Sequence, residues 1–595
     1  MPAKTPSYIT PLVKSLLRRR NKLMHRGKIC EANSLAAKIG KLISEFRSKF
    51  LANVDAKSSK QVWKMVNGVR GKLVKDATLK FGDQPVDIQA LNKHFASIAT
   101  DDNYDSTAVN QLIDQLANVS SGQHTSQSLP YYTLETEDIQ LILERIKKTS
   151  PGTDNLPYWF FKHCSFQLAP IITHLFNLSL SSGKPPSHWK KALVTPIPKT
   201  SNPSAFEDLR PISVTPLLSR ILERHIVHHI LLPSISPTDL SDQFGFRPTG
   251  STIAALVTTM HHVTRLLETN SYVQCISVDF TKAFDTINHP ILFSKLQKLN
   301  LPPFIFSWII NFLTGRTQAV SVNGNTSEFL TINQSIIQGS SIGPTLFIIY
   351  ASDLRTTSKF NILIKYADDT TIIIPQHTDV DAYSEYSSTL GWAFINKLFV
   401  SKVKTKRANF CSPNIRQDLL PALIPEIEQV NTLKFLGVLL MSNLSMDNHV
   451  KLIMSTISQR FYLLSQLKKQ GLPMPALNIV FHALIISRLE YALPCFYGFL
   501  SESNISQINA ALRKARRWGL TDLDLTISDI AELADQRLFN KMLADTHCLN
   551  HLLPSVSPAS SRYNLRPRGH DFILPSVKTA RHMNSFVMRT LFKFK

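Results

Sequence analysis

Cysteine is scarce in this chain and poorly placed for ligation. Six cysteines in 595 residues, Cys30, Cys164, Cys275, Cys411, Cys495 and Cys548, stand far apart, with no CxxC pair and no His/Cys cluster. That spacing argues against a zinc knuckle, a zinc finger or a disulfide framework and suits a reducing compartment. No GxxxxGK[ST] phosphate loop occurs, which argues against an ATPase, and there is no internal repeat or heptad array. No N-terminal signal sequence is visible. Long apolar runs are lacking too: the longest uncharged candidate, Gly471 to Ser487, contains two prolines and a histidine. It reads as a buried helix preceded by a loop rather than as a membrane span. Acidic residues are in deficit, 43 against 66 Lys and Arg, for a net charge of +23 and a pI near 9.7. With a membrane disfavoured, this excess points to a nucleic-acid partner.

The charge is unevenly placed. Residues 1–80 hold 19 basic and 4 acidic side chains, whereas residues 94–144 contain no Lys or Arg. Leu12, Val13, Leu16, Leu17, Leu23 and Met24 recur at helical spacing around Arg18, Arg19 and Arg20, predicting basic helices over 12–50. Their cationic faces suit either solvent or a phosphate backbone. A further helical piece is expected around Val62 to Val69, and a Ser/Gln-rich linker at 119–129. Helices are expected around Leu141 to Ile146, stopped by Ser150-Pro151-Gly152, and at Ile171 to Leu180, ended near Gly183; a strand is expected at Ala192 to Ile197.

What is present, and unusual, is LIKYADDTTIII, Leu363 to Ile374. Two β-branched apolar runs flank Ala367, Asp368 and Asp369, the pattern of a hairpin with a tight acidic turn. Asp is common in turns, but adjacent carboxylates also repel until a divalent cation neutralises them. Upstream, CISVDFTKAFDTINHPIL (275–292) is a β-rich run ending at Asp279, followed by a helix-compatible half. An acid after a strand is often a helix cap; beside an Asp-Asp hairpin it becomes a candidate third carboxylate. Nucleotidyl transfer wants such a set, because two Mg²⁺ ions held by carboxylates activate the attacking hydroxyl and hold the departing pyrophosphate.

From about Ser150 to Val450 the chain resembles the reverse transcriptase of non-LTR retrotransposons, the LINE class related to jockey elements. The blocks that carry the resemblance are SPGTDNLPYWFFK (150–162), VTPIPK (194–199), FEDLRPISVTPLLSRILE (206–223), DQFGFRPTGST (242–252), SVDFTKAFD (277–285), SIIQGSSIGP (335–344), KYADDTTI (365–372) and KFLGV (434–438), in family order. The resemblance implies an α+β right-hand polymerase: fingers, a palm with an antiparallel sheet and a helical thumb, preceded by a basic helical extension. Domains are expected at 1–95 (basic extension), 96–134 (acidic, Ser/Gln-rich linker), 135–441 (fingers and palm, core about 180–441), 442–520 (thumb) and 521–595 (C-terminal region with a basic tail).

The resemblance also implies roles. Asp279 and Asp368, with Asp369 beside them, would be the catalytic carboxylates, and the backbone of Phe280 would lie against the triphosphate and join Asp279 and Asp368 at the metals: two Mg²⁺ ions, with Mn²⁺ able to stand in. Phe284 would lie under the sugar C2′ and disfavour ribonucleotides; its bland reading is a core aromatic. Lys199 and Arg210 would clamp the triphosphate or be plain surface charges, and Gln338 would lie beneath the incoming nucleotide. Arg247, Gly339 and Ala367 would border template and primer, turn geometry being the other reading for Arg247 and Gly339. Lys404, in WAFINKLFVSKVKTK (392–406), would be the general acid, although Arg407 stands where relatives tend to carry an acid. The implied partners are an RNA template, a DNA primer and dNTPs, with no membrane, at work in the nucleus or cytoplasm. The endonuclease that usually precedes this polymerase is expected to be lacking. Rival readings are a maturase or viral RNA polymerase of the same shape, and a decayed or domesticated element product that only binds RNA.

Overall fold

A computed structural model of the chain describes residues 11–52, 63, 66–67, 80–81, 84–107, 109–112, 133–412, 420–556 and 570–594. The helix expected at Val62–Val69 lies mostly outside them, and the linker at 119–129 entirely so. Two compact units emerge: one of Met1–Lys75, Lys434–Leu543 and Pro554–Lys595, the other of Asp76–Leu433 and Ala544–Leu553.

The second unit is built on two five-stranded sheets. The first, the hairpin sheet, has the order Glu428–Gln429, Lys406–Cys411, Tyr272–Val278, Asp369–Pro375, Ile362–Tyr366. Its four longer strands run antiparallel to one another, and Glu428–Gln429 pairs parallel to Lys406–Cys411. Side chains alternate faces along a strand. Ile276, Val278, Ile372 and Ile374 therefore enter one large core, with Tyr386 and Ala393 of the helix Ala382–Ile395. The positions between them, 277, 279, 369 and 371, take the opposite face. This alternation is why the acids can stand at one edge of strands otherwise too apolar to face water.

The other sheet, the ribbon sheet, runs Leu209–Val214, Lys191–Pro198, Arg316–Val322, Asn325–Thr326, with Leu330–Ile332 pairing to Arg316–Val322. Leu91 and Phe95 of the helix Ile88–Ile98 pack on Val194, Leu209 and Val320 of this sheet. Asp87 caps that helix, accepting from Gln89 N at 2.8 Å. Residues 88–104, divided in the sequence reading between basic extension and linker, are thus tied into this unit. Asn92 Nδ2 donates to the Glu328 carbonyl (2.8 Å) and Asp101 N to Asn333 Oδ1 (2.7 Å).

Several expected boundaries move. The helix around Leu141 spans Thr136–Glu144 and ends short of Ser150, and the helix around Ile171 spans Ser165–Ser181. The helix-compatible half of the 275–292 block forms turns at 281–286 before the helix His289–Leu296. Lys282, at φ 49°, breaks regular structure there.

In the first unit, the helices Pro11–His25 and Ile29–Ala52 pack on each other, burying Val13, Ala32 and Ile39. The helix Asp447–Lys469 buries Ile453, Ile457, Phe461, Leu464 and Leu467, whereas Leu452 beside them is exposed. The helical stretch Met474–Phe499 is long and apolar enough to cross a membrane, but 61% of its apolar window is buried within the protein. Arg513, Lys514, Arg516 and Arg517 form an exposed basic face on Glu502–Arg517. The C-terminal helix Phe586–Lys593 is anchored by Arg589, whose Nε and Nη2 engage both oxygens of buried Asp535 (3.0 and 2.9 Å).

One buried ion pair underpins the hairpin sheet. Lys365, 1% exposed, meets Asp242 Oδ1 at 3.1 Å and donates to the Ala351 and Leu354 carbonyls (2.9 and 3.1 Å). Arg355 holds the other oxygen of Asp242 at 2.7 Å. Asp242→Ala is expected to cost about 3–5 kcal/mol by stranding the ammonium, read by urea denaturation. Lys365→Met, which removes the charge itself, should cost much less. Burial pulls Lys365 down to about 8 from its ordinary 10.5, against the pull of Asp242. Between those values the unfolded chain holds more protons, so this group makes stability rise with pH there. Comparing the pH slopes of wild type and Lys365→Met should show that contribution vanish.

Candidate active site

The register of the hairpin sheet assembles the acids. Thr370 pairs with Val278 and Thr371 with Ser277 in antiparallel strands, so one step further Asp369 stands opposite Asp279. Asp368 precedes it in the turn. Tyr366 pairs with Asp369, leaving Ala367 and Asp368 as a two-residue loop. Such loops need positive φ, usually supplied by glycine. Here buried Ala367 takes φ 56°.

That strained turn is clamped from outside. Gln243 Oε1 accepts from Gly245 N (2.9 Å) and from Ala367 N (3.0 Å). Phe244 N donates to the Lys365 carbonyl and Lys365 N to the Asp242 carbonyl, both at 2.7 Å. The DQFGF segment is therefore a short parallel addition beside the hairpin. Gly245 lies so close that a Cβ there would come within 2.5 Å of Ala367 N.

Electrostatically the acids form one group. Asp369 is pushed up to about 6, by burial first and then by Asp368 and Asp279. Asp368 is raised by burial and by Asp279, with Arg210 opposing. Lys404 Nζ lies 3.6 Å from Asp279 Oδ2. Among the described residues no three carboxylate, imidazole or thiol groups close into a ready-made metal cage. An open carboxylate edge fits Mg²⁺, which keeps several waters and takes substrate phosphates as ligands.

A cationic rim faces these acids. Arg210 lies opposite Ile197 on the ribbon, next to Lys199. The Lys199 pKa is lowered, by burial first and then by Arg210, Lys282 and Lys404 nearby. Its Nζ rests on the Glu207 carbonyl at 2.6 Å. Four positive groups repelling one another beside three acids make a surface suited to a polyanion that also brings metal.

The aromatic residues are held on several sides. Phe284 stacks on Phe347 (centroids 4.4 Å, 18°) and meets the edge of Phe246 (6.2 Å, 90°). Phe280 is buried, with Trp392 edge-on at 6.1 Å. The loop before the helix Gly343–Tyr350 is laced to the strand-end turns: Ser335 N donates to the Ile287 carbonyl and Ile336 N to that of Phe284. Gln338 Nε2 donates to Asp285 Oδ1 (2.8 Å), and the Gln338 carbonyl accepts from Ser213 N (2.7 Å). Buried Glu223 caps the helix behind this loop, accepting from Ser341 N (2.7 Å) and Ile342 N (3.2 Å).

Two sequence-predicted site residues are engaged by the protein itself. Arg247 Nη1 donates to the Leu240 carbonyl at 2.5 Å and bolts its own loop. Gly339, at φ 120°, is pressed against the Ser213 carbonyl, a fit no side chain allows. Conversely, Gln243, Lys282, Asp285 and Phe347 join the site without having been singled out. The first three lie inside the quoted blocks, yet nothing in their spacing distinguishes them from their neighbours. Gly245→Ala should displace the Ala367 turn: the melting temperature is expected to fall, and the turnover of the protein still folded to fall about tenfold or more, as for small misplacements of reacting groups.

The profile of the family described as "Reverse transcriptase (RNA-dependent DNA polymerase)" matches residues 197–440, a span holding all of these site residues. The RNA-directed DNA polymerase from the mobile element jockey of Drosophila melanogaster is 26% identical over 66% of this chain and 44% of its own length. The probable RNA-directed DNA polymerase from transposon BS is 26% identical over 75% and 50%, and that from transposon X-element 25% over 69% and 46%, both also from Drosophila melanogaster. The chain spans about half the length of these curated relatives. The ribbon and hairpin sheets with their helices make an α+β fold, residues 197–440 match the reverse transcriptase family, and the chain is similar to the RNA-directed DNA polymerases of non-LTR retrotransposons.

Proposed function

We propose that the chain is an RNA-directed DNA polymerase that adds dNTPs to a primer 3′-hydroxyl on an RNA template. The observation that carries this reading is the meeting of Asp279, Asp368 and Asp369 at one sheet edge, faced by Lys199, Arg210, Lys282 and Lys404. Asp279 and Asp368 would hold two Mg²⁺ ions, with the Phe280 backbone beside them. When bound, such a pair lowers the pKa of the attacking hydroxyl and stabilises the leaving oxygens.

The other residues act through binding and exclusion. Arg210 engages phosphate oxygens in a fork and Lys199 as a point charge, drawing the triphosphate over the carboxylates. Lys404, beside Asp279, stands where it can deliver a proton to departing pyrophosphate. Phe284, fixed by Phe347 and Phe246, cannot swing aside, so a 2′-hydroxyl over it is crowded or left unpaired. Ala367 leaves room for the primer end. Substrates of this kind place the activity inside the cell, in the nucleus or cytoplasm.

The direct test is primer extension on an RNA template with dNTPs and Mg²⁺. Product is expected from the wild type; RNA retention without extension would leave only an RNA-binding relic. Asp368→Asn and Asp279→Asn should each abolish extension while RNA affinity, measured by filter binding, stays nearly unchanged. Phe284→Val should improve ribonucleotide use on the order of tenfold to a hundredfold. Unchanged sugar selectivity would return Phe284 to a packing role.

A further inference from the structure

Asp285 has no part in the chemistry described above, yet it stands between its two halves. It is a partly buried carboxylate at the end of the turns that follow Asp279, next in sequence to Phe284. Its Oδ1 accepts from Gln338 Nε2 at 2.8 Å. Burial pushes its pKa up to about 6, while the Gln338 hydrogen bond and two of the rim cations, Lys282 and Lys199, pull the other way, so the carboxylate is ionised at neutral pH. The chain around it is stiff: Asp285 N donates to the Lys282 carbonyl (2.8 Å), and the neighbouring Phe284 and Ile287 carbonyls hold the Gln338 loop. Gln338 is tied from the other side by Ser213 and by the close approach of Gly339 to the ribbon. Backbone contacts alone therefore set the height of Gln338. Among the described residues, Asp285 is the partner that hydrogen-bonds its side-chain amide.

An ionised carboxylate has no proton to give. The amide must turn its NH₂ toward Asp285, and its carbonyl oxygen must point away. We propose that Asp285 is a positioning residue for the incoming nucleotide: it locks the Gln338 side chain so that an acceptor, not a donor, is presented on the nucleotide side. This deepens the polymerase reading and rests on it. Asn at 285 keeps the shape but can accept or donate, so either amide orientation becomes available.

The experiment is a double-mutant cycle in the full chain with Asp285→Asn, Gln338→Ala and the pair, measuring KM for dNTP and kcat on an RNA template. Asp285→Asn is expected to raise KM about tenfold, the range for a hydrogen bond to a charged group, with kcat changed less than twofold. The paired variant should match Gln338→Ala alone, because Asp285 acts through that amide. Equilibrium binding of a non-hydrolysable α,β-imido dNTP, followed by fluorescence competition, should weaken in the same order whether or not the protein extends a primer. A loss confined to kcat, multiplying effects in the paired variant, or unchanged analogue binding in Asp285→Asn would each overturn the proposal. Wild-type protein that binds the analogue but extends nothing would overturn the polymerase reading instead. Thermal melts of the variants separate loss of fold from loss of positioning.

Discussion

One amide oxygen holds the candidate active site in shape. Gln243 Oε1 takes the backbone N–H groups of both Gly245 and Ala367, joining the loop of one block to the tip of the acidic hairpin. A non-glycine residue at positive φ costs on the order of 1 kcal/mol or more and persists only where its surroundings over-determine it. Here those surroundings are the Gln243 clamp, the absent side chain of Gly245 and the buried Lys365–Asp242 pair beneath. Without them the turn could relax, and the carboxylate of Asp368 would lose its fixed place relative to Asp279.

The charges follow from that geometry. Burial and the neighbouring acids raise the pKa values of Asp368 and Asp369, and burial and the neighbouring cations lower that of Lys199. Each cluster alone is unfavourable. Their juxtaposition is less so, since Lys404 approaches Asp279 and Arg210 tempers Asp368. The remaining imbalance suits a ligand bringing both negative phosphates and positive metal, as the proposed nucleoside triphosphate with Mg²⁺ would.

Function and packing are shared within single blocks of sequence. In SVDFTKAFD, Asp279 serves the acidic edge, Ala283 the core, and Asp285 the Gln338 amide. In DQFGFRPTGST, Asp242 neutralises a buried lysine, Gln243 clamps, and Arg247 bolts the loop. A basic residue inside a motif therefore need not face the nucleic acid. Arg247 spends one end of its guanidinium on loop carbonyls, whereas Arg210, exposed on the ribbon, keeps its charge for a partner.

By itself, the sequence determined the local rules. The β-branched runs around Asp368 and Asp369 demanded a hairpin, and period-two alternation required that acids at its tip leave the apolar face. The ordered blocks named a polymerase. Tertiary structure decided what alternation and order cannot encode. Cross-strand register between segments some ninety positions apart set Asp369 against Asp279 rather than one step away. Long-range packing placed Leu91 and Phe95 on the ribbon sheet, buried Lys365 with Asp242, and gave Asp285 its amide partner. The reason is physical: pattern along a chain reports which side of an element is apolar. Only the closing of distant elements onto one another selects which polar groups meet.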